Sequence, residues 1–260
     1  LTDVTTRGAR LEPCAAQDSA GPLVLVNSLG TTSAMWDGLV PVLRGRFDVV
    51  RFEQRGYGAG DAPDGPFWLD DLVDDLVGVL DGLGLGRAHL AGVSLGGMVA
   101  ARAAARHRHR VQSLTIICSA PVLPRASWLE RAETVRGDGL ATMRDTVLGR
   151  WFTPSFAAAN PDVVTRYGDM LVANDTEQYA RACEMLAAAD VRGDLADVAA
   201  PTLVIGGSAD IATPPGDQER YAAGIPGARL LILDEVAHMA TAAVPERIAR
   251  EIAGHAAAGG

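Results

Sequence analysis

The chain contains no lysine; all 23 of its basic residues are arginine. Against 32 acidic residues they leave a net charge of −9 and a pI near 5.0. Binding nucleic acid electrostatically requires a basic face, and this balance argues against one. The lysine-free, alanine-rich usage points to a GC-rich coding bias more than to a mechanism. Cysteine is also scarce. Cys14, Cys118 and Cys183 are odd in number and scattered, so they suit neither a disulfide frame nor a zinc site. They are expected as reduced, buried thiols of a cytosolic protein. Long apolar runs are missing as well: Leu23–Val26 and Leu203–Ile205 fall far short of a bilayer span. No basic segment leads into an apolar run as in a signal peptide. The expectation is a cytoplasmic protein with neither a membrane nor a nucleic-acid partner.

What remains is a chain of 260 residues, 48% hydrophobic, with a mean hydropathy of +0.12. That excludes a disordered chain and suffices for one large α/β domain with an insertion. Short β-rich runs alternate with longer helical stretches, the pattern of a mostly parallel sheet flanked by helices. The predicted strands are Leu23–Asn27, Asp48–Phe52, Ala88–Val93, Ser113–Cys118, Thr202–Ile205 and Leu230–Leu233. Val4–Thr6 and Ala9–Leu11 flank Arg7-Gly8 as a possible small hairpin. Helices are predicted over Met35–Arg44, Leu69–Leu83, Leu95–Ala105 and Pro245–Ala253, with a frayed tail after the last. Between Pro121 and about Asp190 the alternation gives way to an arginine-rich helical stretch. It reads as an inserted helical lid (121–190) on a core formed by 1–120 and 191–260.

Gly92-Val93-Ser94-Leu95-Gly96 fits the nucleophile-elbow pattern G-x-S-x-G. With 29 glycines and 9 serines, a shuffled copy would contain it about 0.1 times, so context must carry the assignment. Here it closes a strand and opens a helix, as the motif requires. The turn strains its serine, and a side chain at either flank would collide with backbone. Glycine at 92 and 96 removes that collision, and Gly97 lets helix and strand approach.

A serine hydroxyl needs a base. Among five histidines, His107 and His109 sit in a charged helix end, His89 starts a strand and His255 lies in the tail. His238 follows the last strand, in a loop at the same carboxyl edge of the sheet as Ser94. The orienting acid should lie between them in sequence. Asp210, in the loop after Thr202–Ile205, suits the role of holding the imidazole tautomer. Asp234 and Glu235 are rivals, but so close to His238 in sequence that reaching its ring would be awkward. For the oxyanion, the expected donors are the N–H of Leu95, just after the nucleophile, and of Leu29, in the loop after the first long strand.

These residues make the chain resemble an α/β-hydrolase, and specifically a 3-oxoadipate enol-lactonase. Asn27-Ser28-Leu29-Gly30-Thr31 with Met35-Trp36 is similar to that family's oxyanion segment. Arg55-Gly56-Tyr57-Gly58 and Asp61-Ala62-Pro63 resemble its next loop. In the lid, Trp128 with Arg131, Arg150-Trp151-Phe152-Thr153, and Tyr179 with Cys183 look family-like. The family usually has Asp where this chain has Glu53, and Ser where it has Gly60. The first departure is expected to weaken a carboxylate–arginine network with Arg55, the second to remove a hydroxyl near the pocket. Gln178 and Met185 stand where smaller residues are expected and would reshape the pocket.

The resemblance implies a serine hydrolase that opens a small lactone or ester through an acyl-serine, most like an enol-lactone. Trp128, Arg131, Arg150 and Trp151 would be its substrate-binding residues. An anionic lactone would need an arginine from the lid, with Arg131 first because it lies one helical turn from Trp128. Two other readings use the same residues: an esterase or lactonase of specialised metabolism, and a hydrolase-fold ligand receptor. No metal or organic cofactor is expected, since neither ligand spacing nor a phosphate loop is present.

Overall fold

A computed structural model describes residues 9–16, 18–58, 62 and 64–258. Val4–Thr6, Gly60, Asp61 and Pro63 lie outside the described residues. Among the described residues, seven strands form one sheet: β1 (Arg10–Glu12), β2 (Pro22–Val26), β3 (Asp48–Arg51), β4 (Ala88–Val93), β5 (Val111–Ile117), β6 (Thr202–Gly207) and β7 (Arg229–Leu233). Their order is β1-β3-β2-β4-β5-β6-β7, with β1 antiparallel to β3 and every other pair parallel. The inner strands read as continuous apolar runs because helices cover both faces. Every residue of β4 and β6 is buried. All six predicted strands are present, each with its ends shifted by no more than two residues. Ala9–Leu11 overlaps β1, which pairs with β3.

The chain passes from β2 to β3 on one side, then returns past β2 to β4 on the other. Strand order therefore reverses between β2 and β4. A parallel sheet opens a crevice at the carboxyl ends of the strands flanking such a reversal. Those ends lead into Asn27–Gly30 and Ser94.

Helix α1 (Leu69–Gly82) buries Leu69, Leu72, Val73, Leu76, Val79 and Leu80, the stripe that its periodicity predicts. Asp71 caps it by accepting the Trp68 N–H at 2.6 Å. Helix α2 (Leu95–Arg106) follows β4. Five helices then occupy the stretch between β5 and β6: α3 (Arg125–Asp138), α4 (Leu140–Trp151), α5 (Pro154–Ala159), α6 (Pro161–Val172) and α7 (Thr176–Ala188). Val122 and Asp190 form a bridge at the neck of this block. Helices α8 (Pro215–Gly224) and α9 (Pro245–Ala258) complete the framework.

Three expectations need correction. Met35–Arg44 is not one helix but a 3₁₀ turn (Ser33–Trp36) followed by a single α-turn (Val40–Leu43). Pro41 lacks an N–H and fits only a first helical turn, so it starts a new segment. The C-terminal segment is helical through Ala258, and His255 is buried there, its Nε2 3.1 Å from the Pro201 carbonyl. Cys118 and Cys183 are buried free thiols, whereas Cys14 is only half-buried.

Candidate active site

Ser94 occupies the turn between β4 and α2 with φ 55° and ψ −116°, a strained conformation for a residue with a Cβ. The glycines around it make the turn possible. A Cβ on Gly92 would lie 2.1 Å from the Gly96 carbonyl oxygen, and one on Gly96 would lie 2.1 Å from that of Val26. A Cβ on Gly97 would meet Ser119 Cβ at 2.7 Å, so this glycine sets how closely α2 approaches the segment after β5. The Ser94 N–H donates to the Ile117 carbonyl at 2.9 Å, and Ser119 Oγ donates to the Ser94 carbonyl at 2.7 Å.

His238 leaves the loop after β7 and is buried. Its Nδ1 lies 2.9 Å from Asp210 Oδ2. Asp210 is buried behind the ring and accepts from the Ala212 N–H at 2.8 Å, the Thr213 N–H at 3.0 Å and Thr213 Oγ1 at 2.9 Å. Burial pushes the Asp210 pKa up, but the His238 charge and the hydrogen bonds from His238 and Thr213 outweigh it. The net value is below that of an ordinary carboxylate, so Asp210 is ionised at neutral pH. Asp234 and Glu235 are exposed, and Asp234 instead accepts from Ser208 Oγ at 3.1 Å. The remaining histidines are elsewhere. His89 Nδ1 sits 2.8 Å from Ser113 Oγ, and His107 and His109 lie at the far end of α2.

Ser94 and His238 open on one cavity of about 710 Å³, which Leu29, Trp128, Arg131, Arg150, Trp151 and Tyr179 also line. Leu95 is the first residue of α2, and the first N–H groups of a helix have no partner within it. Among the described residues, neither the Leu95 nor the Leu29 N–H has a protein acceptor. The turn carrying Leu29 is pinned from below. Asn27 Nδ2 donates to the Phe52 carbonyl at 3.0 Å and Trp36 Nε1 donates to Asn27 Oδ1 at 2.8 Å. Met35 Sδ accepts from Thr31 Oγ1 and the Ser28 N–H at 3.0 and 3.3 Å. Such an arrangement can attack a carbonyl, shuttle its proton and hold the resulting oxyanion.

Two of the arginines between residues 121 and 190, Arg131 and Arg150, line this cavity. Arg131 lies with its guanidinium carbon 5.1 Å from the Trp128 ring centroid and donates to the Tyr179 hydroxyl. Neither Arg131 nor Arg150 has a carboxylate partner among the described residues. By contrast, Arg136 pairs with Glu177 and Glu184, Arg144 with Asp145 and Asp169, and Arg181 with Glu177.

Some pocket expectations are not met. Glu53 does not pair with Arg55; it accepts from Ser33 Oγ at 2.6 Å and from the Ser33 N–H. Arg55 instead grips Asp75 with two bonds of 2.6 Å, a bidentate fork that leaves it no need of residue 53. Gln178 lines a separate hollow and Met185 is buried in the core, so neither shapes the cavity beside Ser94. Sequence reasoning missed Thr213, Gln218 and Ser119. Gln218 Nε2 donates to the Ser119 carbonyl at 2.8 Å, so helix α8, which follows the acid's loop, is tied to the residue whose Oγ holds the Ser94 carbonyl. Thr213→Val should lower kcat about 10-fold with KM nearly constant, and Thr213→Ser should restore most of it. A proportional loss in the Ser variant would contradict a hydroxyl-dependent role. The depressed Asp210 contributes stability above the ordinary carboxylate range and loses it as pH falls through its lowered folded value. Thr213→Val should shrink that acid-side loss in urea titrations.

Known proteins resemble this chain along most of its length. Residues 21–241 match the family described as the alpha/beta hydrolase fold. The chain is 33% identical over 225 residues to 3-oxoadipate enol-lactonase 2 of Acinetobacter baylyi, covering 86% of this chain and 84% of that protein. The enol-lactonase of Burkholderia xenovorans superimposes with a TM-score of 0.91 at 32% identity over 95% of both chains. A malate-bound esterase of Thermogutta terrifontis superimposes with a TM-score of 0.88 at 25% identity over 96% of this chain and 93% of its own. With hydrolases matched along most of its length, the enzyme reading stands over the ligand-receptor reading. The chain belongs to the α/β-hydrolase family and is an ester- or lactone-cleaving enzyme similar to the enol-lactonases.

Proposed function

We propose that the enzyme opens an enol-lactone bearing a free carboxylate, through an acyl-enzyme on Ser94. His238 takes the Ser94 proton as Oγ attacks the lactone carbonyl, while Asp210 holds the ring by Nδ1 and stabilises its cation. The N–H groups of Leu29 and Leu95 receive the developing oxyanion. The ring C–O bond then breaks, and the imidazolium returns its proton to the departing enol oxygen. That enol relaxes to a ketone, so it leaves more readily than a simple alkoxide. Water deprotonated by His238 attacks the acyl-serine, and Ser94 is regenerated as the acid departs. The helices between residues 121 and 190 act as the lid, and Trp128, Arg131, Arg150 and Trp151 as the substrate's surroundings. Cytoplasmic location belongs to the same reading, on the three free cysteines.

The observation that supports the substrate's charge is Arg131, a cavity arginine stacked on Trp128 with no carboxylate partner among the described residues. A chain of net charge −9 repels an anion at long range, so a local cation is needed to capture one. The esterase captured with malate, a dicarboxylate, is consistent with an anion here. Arg131→Gln should raise KM for the anionic lactone about 10-fold or more relative to its effect on a neutral aryl ester. Equal effects on both substrates, for Arg131 and Arg150 alike, would leave a general esterase.

A further inference from the structure

Tyr179 joins two parts of the cavity wall. Its hydroxyl accepts a hydrogen bond from Arg131 Nη2, and the Arg131 guanidinium carbon lies 5.4 Å from its ring centroid. With Trp128 on another side at 5.1 Å, a side chain of many rotamers is ordered before any ligand arrives. Burial pushes the Tyr179 hydroxyl pKa well up, so the phenol stays neutral and leaves the Arg131 charge unquenched. The buried Arg131 Nε has no hydrogen-bond partner among the described residues.

The same ring touches the turn after β2. A Cβ on Gly30 would lie 3.0 Å from Tyr179 Cε2 and 2.8 Å from Leu171 Cδ1. Gly30 holds φ +73°, and its carbonyl accepts from Asn174 Nδ2 at 3.1 Å. Residues of α6 and α7, with the loop between them, therefore clamp the residue that follows Leu29. Without that clamp, a left-handed glycine is free to relax and to swing the adjoining amide.

We propose that Tyr179 is a positioning residue with two separable parts. The hydroxyl aims Arg131 at the substrate carboxylate, and the ring braces the Gly30 turn that carries the Leu29 oxyanion donor. This rests on the roles given above to Arg131 and Leu29. One side chain thereby controls selectivity through its oxygen and turnover through its ring.

The test uses an enol-lactone with a free carboxylate and p-nitrophenyl acetate side by side. Tyr179→Phe keeps the ring and frees Arg131; it should raise KM for the lactone about 10-fold more than for the ester. Tyr179→Leu should add a drop in kcat of about 10-fold or more on both substrates, relative to the Phe variant. Asn174→Ala loosens Gly30 from its other side; it should lower kcat several-fold on both while leaving the ratio of their KM values in place. A Phe variant that shifts both KM values equally overturns the hydroxyl's role. An unchanged kcat in Asn174→Ala overturns the bracing, and this holds even if the Leu variant does not fold. If the wild type cleaves only the ester, the anionic-substrate reading fails by itself. The kcat values on the ester then still decide the part played by the ring.

Discussion

Ser94→Ala should lower kcat by about 10⁴-fold or more while leaving thermal stability nearly unchanged. The alanine keeps the Cβ that the turn already accommodates and removes only Oγ. The glycines at 92 and 96, which allow the sharp turn, are untouched. What survives should come from the Leu29 and Leu95 N–H groups, which can still polarise a bound carbonyl. Steady-state hydrolysis together with a thermal melt separates lost chemistry from lost fold. A variant retaining a tenth of wild-type turnover would remove Ser94 from the reaction.

His238→Ala should be nearly as damaging as the loss of the serine, because among the described residues no other histidine lines the cavity. Asp210→Asn should be milder, about 10³–10⁴-fold, since the imidazole remains but the amide favours the wrong tautomer. Asp234→Asn serves as the control. Its carboxylate is exposed and engaged by Ser208 and the Glu235 N–H, so turnover should stay within about twofold. The order Ser94 ≥ His238 > Asp210 ≫ Asp234 is the measurable outcome. An Asp234→Asn variant worse than Asp210→Asn would reassign the acid.

The sheet was legible because each inner strand is a short apolar run bounded by turn residues, a purely local signal. The elbow was legible for a similar reason, as glycines at fixed offsets have few other uses beside a strained serine. Met35–Arg44 misled because its apolar spacing is helical, whereas Pro41 breaks the segment in two. Contacts between distant segments were harder to read. The resemblance implies a weakened network between residue 53 and Arg55, yet Glu53 is held by Ser33, 20 residues away, and Arg55 reaches Asp75, 20 residues on. Thr213 and Gln218 carry no motif. Thr213 lies three residues after Asp210 and could have been suspected as a local hydrogen-bond donor to it, but the Gln218 bond to Ser119 spans 99 residues. The packing of Arg131 on Trp128 was legible because one helical turn separates them, while its link to Tyr179 spans 48 residues and joins two helices.

The central claim is that one serine, on this turn, carries the acyl group. Treating the native enzyme with a fluorophosphonate and mapping the adduct by peptide mass spectrometry tests it most directly. The activated hydroxyl should displace fluoride, giving a single phosphonylated peptide modified at Ser94, with activity lost in proportion to labelling. His238→Ala should label far more slowly, because the proton acceptor is gone. Stoichiometric labelling at another residue, or full inactivation with Ser94 unmodified, would contradict the account.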